Sequence, residues 1–498
     1  MKEWISIKNF LIIIPIVFSL SCQQKKYKET KSQAPNVLFI AVDDLNDWLG
    51  CMKGHPNAKT PNLDKLASTG VLFTNAHCQA PLCGPSRTSL MTGLRPSTTG
   101  IYGMIDDNEI RSENPATKDI VFLPEYFENH GYHTMGIGKL FHHHAPNGAF
   151  NESGGRKGGF GPNPPERLVW DGIGTADLDR YGKTATDWGA FPEADSLMPD
   201  HHFANWAIER INKTYEKPFF LGVGFVRPHV PWYVPQKWFD LHPLESVELP
   251  PYKENDLDDI PDIGLQINDL PMMPTTQWAI ENDQWANIVQ AYLACISFVD
   301  YEVGRVLNAL EKSPHADNTV IVLWSDHGYR LGEKERFAKH ALWEEATNAP
   351  LMFSGPGLPE GKVINEPVEM LSIYPTLLDL CGLPPYERNE GSNLVPAMTS
   401  DEQLVEGFKA ITTYGMNNHA LRTSQYRYIR YEDGSEELYD HDKDPNEWHN
   451  LAVDNMDLQK REKFKKMLPS TNVKWANNSS YNYQPYFIKQ KERTNKDN

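Results

Sequence analysis

Two acidic clusters in the 498-residue chain each follow a run of apolar residues. Asn36-Val-Leu-Phe-Ile-Ala-Val42 leads into Asp43-Asp44, and Thr319-Val-Ile-Val-Leu-Trp324 leads into Ser325-Asp326-His327-Gly328. Continuous apolar runs of this length read as strands buried on both faces of a parallel sheet, and functional groups collect just past the carboxyl ends of such strands. Two ends carrying Asp-Asp and Asp-His can converge on one cation. Three carboxylates suit a hard divalent ion, calcium more than zinc. The competing reading is ordinary turn chemistry, since Asp after a strand is common. Tyr329 and Arg330 directly follow the Asp-His pair and are candidates for lining a substrate pocket.

A second signal is Cys83-Gly84-Pro85-Ser86-Arg87, running on to Gly93. Pro85 suits the first position of a helix and Gly93 its end, so Cys83 is expected at a helix N-terminus. Free N–H groups and the helix dipole favour a tetrahedral anion there, and Arg87 can add charge-assisted hydrogen bonds. A buried cysteine beside a capped helix is the alternative.

These residues need a frame. A third apolar run covers 219–225, and helical patterns lie at 61–70, 123–131, 203–215 and 285–312. Strands alternating with helices predict an α/β fold with helices on both faces of a parallel sheet. Residues 153–165 form a Gly/Pro-rich loop, and the acidic, Pro-interrupted stretch 248–275 reads as a surface excursion. After about residue 385 the pattern changes to short strands at 420–423, 426–431 and 437–439, with Asp433-Gly434 as a turn signal. The expected organisation is a main domain over 35–385 and a smaller C-terminal subdomain over 386–498. No internal repeat is evident.

Residues 1–22 read as an export signal, with Lys2 and Lys8 before an apolar stretch too short to span a bilayer. Cys22 follows Ser19-Leu20-Ser21 and resembles a lipidation site, and 23–34 is a polar tether. The protein is therefore expected outside the cytoplasm, in the periplasm or lipid-anchored in the membrane at the cell envelope. Cys51, Cys78, Cys83, Cys295 and Cys381 show no CxxC pair and no zinc spacing; the sequence fixes no pairing among Cys51, Cys78, Cys295 and Cys381. Composition, with 40% hydrophobic and 23% charged residues, excludes collagen, low-complexity disorder and a disulfide-rich miniprotein. A net charge of −18 argues against nucleic acid as a partner, though a locally basic pocket could still take an anionic small substrate.

Residues 60–93 resemble the signature stretch of the formylglycine-dependent (type I) sulfatases. Their C-x-P-S-R motif is matched by Cys83, Pro85, Ser86 and Arg87, with Asp43-Asp44 upstream and Asp326-His327 downstream. The resemblance covers about residues 35–455, including Glu437-Leu-Tyr-Asp440 and Asp444-Pro445. It is closest to the iduronate-2-sulfatase branch at Gly138-Lys139-Leu140-Phe141-His142, Arg227-Pro228-His229-Val230-Pro231 and Leu331-Gly332-Glu333 with Ala338-Lys339.

The resemblance implies an alkaline-phosphatase-like fold, a mostly parallel sheet between helices with a smaller C-terminal antiparallel subdomain. It implies that a maturation enzyme oxidises Cys83 to formylglycine (3-oxoalanine), whose hydrate is the nucleophile. Asp43, Asp44, Asp326 and His327 would hold calcium together with the modified Cys83, and Arg87 would steady the hydrate. Lys139 and Lys339 would bind sulfate oxygens, and His142 and His229 would handle protons and the leaving group. His142 opens the run His142-His143-His144, and which ring faces the site is left open. The implied substrate is a sulfated carbohydrate, such as a uronate 2-O-sulfate, a glycosaminoglycan fragment or ulvan. Trp170, Trp188 and Trp232 could stack on sugar rings but read as core and are kept out of the site. The rivals are a phosphoester or phosphonate hydrolase of the same superfamily, and a non-catalytic surface glycan-binding lipoprotein.

Overall fold

The computed structural model describes Met1 and residues 34–170, 185–400, 408–453 and 457–496. The leader, Cys22 and the tether up to residue 33 lie outside the described residues. Asn36–Val42 is buried along its whole length because alternate side chains enter opposite layers. Leu38, Ile40 and Val42 join one core, and Val37, Phe39 and Ala41 the other. It pairs in parallel with Thr319–Ser325 on one side and Phe219–Phe225 on the other. The full sheet runs Lys362–Ile364, Val71–Phe73, Leu351–Ser354, Thr319–Ser325, Asn36–Val42, Phe219–Phe225, His133–Gly138, Glu152–Gly155. Leu351–Ser354 is antiparallel to both its neighbours, and the remaining pairings are parallel. This is the mixed, mostly parallel α/β sheet expected.

Helices close both faces. Pro61–Ser68, Pro199–Ile211 and Trp285–Glu311 cover the first core; Cys83–Thr92, Leu123–Asn129 and Ile373–Leu380 cover the second. The helix expected over 203–215 starts earlier, with Pro199 at its first position, and ends at Ile211. Trp170, Trp188 and Trp232 are core residues, all at most 3% exposed.

Four consecutive antiparallel strands, Ala410–Thr413, His419–Arg422, Tyr426–Arg430 and Glu436–Asp440, form a separate sheet. Gly434, at φ +89°, makes the last turn. Ala420, Ile429 and Tyr439 on one face pack with Trp343, while Leu421, Tyr428 and Leu438 on the other pack on Phe464 of the helix Leu458–Lys465. The stretch 248–275 is not a surface excursion. It contains the helix Asp262–Asn268, and Ile260, Ile263 and Ile267 are buried in the same cluster as Tyr431 and Tyr439. Asp258, Asp262 and Asp269 face outward while its isoleucines recur at helical spacing, a pattern that the prolines obscured. The five cysteines among the described residues are free thiols. No helix among the described residues is long and apolar enough to cross a membrane.

Candidate active site

The parallel register lines up four strand ends. Val42 stands opposite Ser325 and Phe225, and Gly138 stands opposite Gly224. The residues that follow therefore emerge side by side: Asp326 and His327, Asp43 and Asp44, His229, then Lys139 and His142. One close approach depends on glycine. A Cβ on Gly138, at φ +78°, would lie 2.0 Å from the Gly224 carbonyl oxygen. The chain can thus turn directly into Lys139, whose N–H bonds that carbonyl at 2.8 Å.

The helix Cys83–Thr92 brings the thiol to this row. Cys83 is its first residue, and Gly93, at φ +77°, closes it. Pro85 sits third rather than first, which is harmless because the N–H groups of the first turn lack intrahelical partners. The Cys83 Sγ lies 3.1 Å from Lys339 Nζ, 3.3 Å from His327 Nε2 and 3.6 Å from Asp44 Oδ1.

Asp44 adopts a left-handed backbone, φ +61°, which aspartate tolerates better than most residues and which turns its carboxylate inward. Its Oδ1 accepts from Lys339 Nζ at 2.6 Å, whereas its Oδ2 is buried with no hydrogen-bond partner, 4.0 Å from His229 Nε2. Arg87 is fully buried. Its Nε donates to Asp326 Oδ2 at 2.8 Å, its Nη2 to Asp43 Oδ1 at 3.1 Å, and its Nη1 to the Lys139 carbonyl. Arg87 thus sets two carboxylates. Lys139 Nζ donates to Asp43 Oδ2 at 2.5 Å.

Three carboxylates and three cations share this water-poor space, and the titration of its members reflects their neighbours. Burial opposes ionisation of Asp43, yet Lys139, Arg87 and Lys339 hold it well below the usual carboxylate range. Burial raises Asp44, with Asp43 and Asp326 adding to the rise against Lys339. Burial pushes the Cys83 thiol up against the pull of both lysines. Burial, with Lys339 and Lys139, holds His229 neutral; burial, with Lys139, does the same for His142.

The donor set fits a hard divalent ion. Ligand atoms of Asp44, Cys83, Asp326 and His327 all lie within 4.8 Å of one another, and so do those of Asp43, Asp44, Cys83 and His229. His327 Nδ1 faces the Gly328 carbonyl at 2.9 Å; a carbonyl only accepts, so Nδ1 carries the proton and Nε2 offers its lone pair to the site. The unpartnered Asp44 Oδ2 is the acceptor that a cation would satisfy.

Of the three histidines in the run, His142 is the buried one, with its Nδ1 unpartnered, while His143 and His144 are exposed. Tyr329 and Arg330 do not line the site. The Tyr329 hydroxyl donates to the Phe337 carbonyl, and Arg330 binds the carbonyls of Ala338 and Lys339. Both lie behind the site at 1% exposure or less and hold the loop that delivers Lys339, because their short distance from His327 turns them into the core.

Several contributors are not among the residues expected from the sequence. Asp107 accepts the backbone N–H groups of His142, His143 and His144, fixing their loop. Tyr292, from the long helix, donates to the Asp44 carbonyl at 2.7 Å. His340, next to Lys339, is bonded by Tyr414 and by Tyr481 from the C-terminal tail. Arg156, in the Gly-rich loop, donates to the His142 carbonyl at 2.5 Å. Its sequence signal was a cation within a glycine run.

Comparison with known proteins gives a consistent picture. Residues 35–383 match the family described as Sulfatase, and residues 332–474 match the family described as N-sulphoglucosamine sulphohydrolase, C-terminal. A protein named Sulfatase from Formosa agariphila is 62% identical over 491 residues, covering 98% of this chain and 97% of its own. Iduronate 2-sulfatase of Homo sapiens is 32% identical over 421 residues, covering 75% and 73%. Among solved structures, one described as a 2-O GAG sulfatase aligns with a TM-score of 0.66 at 22% identity, over 87% of this chain and 91% of its own.

Proposed function

The chain belongs to the sulfatase family and is a sulfuric ester hydrolase, and we propose that it removes sulfate from carbohydrate through a formylglycine made from Cys83. The observation that carries this reading is the placing of the Cys83 sulfur between Lys339, His327 and Asp44, with Asp44 Oδ2 left unpartnered. Likeness to an iduronate 2-sulfatase supports a sulfated uronic acid, attacked at a chain end, as the substrate class.

Sulfate-ester cleavage develops negative charge on sulfuryl oxygens and on the departing alcohol. Lys139 and Lys339 are positioned to take the sulfuryl oxygens. With three carboxylates already matched by Arg87, Lys139 and Lys339, a divalent ion leaves the site net positive, which suits an anionic ester. Calcium would be held by Asp43, Asp44, Asp326, His327 and residue 83, and when bound it would neutralise charge at sulfur-bound oxygen. Arg87 keeps Asp43 and Asp326 aimed at it. The hydrate of residue 83 offers one hydroxyl to attack sulfur and a second whose deprotonation re-forms the aldehyde and releases sulfate.

His229 Nδ1 faces the Val230 carbonyl at 2.6 Å, so the proton sits there and Nε2 is a free acceptor pointing at the site. Neutral at rest, His229 can take the proton of the nucleophile. An anion bound between the lysines offsets their effect, so that a protonated His142 or His229 can give its proton to the leaving alcohol. We also place the enzyme at the cell envelope, exported by residues 1–22, anchored through Cys22 and matured by a formylglycine-generating enzyme.

The test is sulfate release from a panel of sulfated mono- and oligosaccharides, with matched phosphate esters, after co-expression with a formylglycine-generating enzyme. Release that disappears in Cys83→Ala supports the reading; faster release of phosphate than of sulfate overturns the substrate class. Palmitate labelling that survives Cys22→Ala would overturn the lipid anchor.

A further inference from the structure

The rim of the site carries a cation that the sulfate does not use. Arg156 is half-buried beside His142, and its Nη1 donates to the His142 carbonyl. Its Nε is buried with no hydrogen-bond partner, and among the described residues no carboxylate forms an ion pair with it. The guanidinium lies 4.6 Å from the centre of the Phe160 ring. Phe160 in turn stacks on His229, with ring centres 4.1 Å apart and planes 19° from parallel. Arg156, Phe160 and His229 thus form a continuous row that ends at the site, where His229 Nε2 lies 4.0 Å from Asp44 Oδ2. Burial pushes the guanidinium down from its ordinary value, with Asp43 the strongest opposing charge and Arg87 acting against it. A half-buried guanidinium with an unused donor and no carboxylate partner is an incomplete site for an anion.

We propose that Arg156 binds a second anionic group on the substrate, the carboxylate of the sugar whose sulfate is cleaved. A planar carboxylate matches the fork of the guanidinium, and Phe160 keeps that fork from turning. The inference rests on the sulfatase reading with its uronic acid substrate, and adds to it the residue that would tell that acid from a neutral sulfated hexose.

The experiment measures kcat/KM for sulfate release from a 2-O-sulfated uronate and from its methyl ester, whose carboxyl is neutral, in the mature enzyme and in Arg156→Gln and Arg156→Lys. Arg156→Gln should lower the value for the free acid by about 10²-fold more than the value for the ester, since a lost charge-assisted contact costs of that order. Arg156→Lys should retain part of the preference for the acid. An equal fall for acid and ester would mean that Arg156 only holds the His142 loop, and would overturn the proposal. Calorimetric titration with the desulfated uronate reads the same contact without turnover. Binding lost in Arg156→Gln supports the assignment even if no sulfate ester is cleaved, and binding unchanged in the variant overturns it even if all are.

Discussion

At the ends of the central strands, Asp43, Asp44 and Asp326 face Arg87, Lys139 and Lys339. Where the antiparallel sheet meets the segment 341–347, Glu344 and Glu447 face Arg422, Arg427 and His441. Both are buried clusters of mixed charge. Glu344, His441 and Glu447 even bring ligand atoms within 4.8 Å of one another, as the residues at the strand ends do. The second cluster is nevertheless closed. Burial opposes ionisation of Glu344, but Arg422 and Arg427 hold it well below the usual range. Glu447 is likewise held down, chiefly by Arg427 against burial, with help from a hydrogen bond to His441. Arg427 Nε stands 2.6 Å from Glu447 Oε1, and Arg422 Nε 3.0 Å from Glu344 Oε2. In the first cluster burial wins at Asp44, and one oxygen is left without a donor. Ligand geometry alone therefore does not separate the two clusters; the unpartnered oxygen at Asp44 does. One cluster ties the antiparallel sheet to the segment 341–347 with every charge matched, and the other keeps an acceptor to spare.

Four measurements would break or sharpen that contrast. Cys83→Ala should abolish sulfate release, by at least about 10⁴-fold, as loss of a nucleophile does; a smaller loss would mean that the catalytic cluster works without residue 83. Calcium at a hundredfold excess over its Kd should raise unfolding stability by about 2.7 kcal/mol, and Asp44→Ala should remove that response. The same titration on Glu447→Gln should keep it, because the joint takes no ion; loss of the response there would merge the two clusters.

Arg427→Met strands Glu344 and Glu447 at about 1% exposure of the arginine they lose. It should cost about 3–5 kcal/mol in denaturant unfolding, with kcat per folded molecule unchanged. The smallest effect concerns Glu345, beside the joint, which burial and then Asp47, Glu333, Glu344 and Glu447 push well above the usual carboxylate range. Its folded form binds a proton that the unfolded chain releases, so stability falls as pH rises from the unfolded value through the folded one. Glu345→Gln should therefore raise the melting temperature by a few degrees at pH 8, and the gain should shrink as the pH is lowered toward 5. A constant gain would mean that Glu345 does not titrate differently on folding.

The fold was legible where hydrophobic pattern and length agreed. The runs at 36–42, 219–225 and 319–324 are strands because seven or so consecutive apolar residues between polar ends fit little else, and the turn at Asp433-Gly434 follows from a residue that accepts positive φ. The four-residue strand Ala410–Thr413 was too short to display a period. The helix Asp262–Asn268 was masked by flanking prolines and acids, although its isoleucines carried the signal. Within the site, Cys83, Arg87, Asp43, Asp44, Asp326 and His327 were visible because their chemistry follows strand ends or opens a helix. Asp107, Tyr292 and Tyr481 were not, because each acts through a contact made across more than thirty residues of chain.

The sequence by itself determined the strands, the strand-end acids, the cysteine at a helix start and the family to which they belong, since all of these are local patterns. It could not say which of His142, His143 and His144 turns inward, nor that Tyr329 and Arg330 turn away, nor that Arg156 reaches the rim. Those outcomes depend on which surfaces meet when the sheet closes. A side chain's neighbours, and so its burial and charge state, are properties of that packing rather than of its position in the chain.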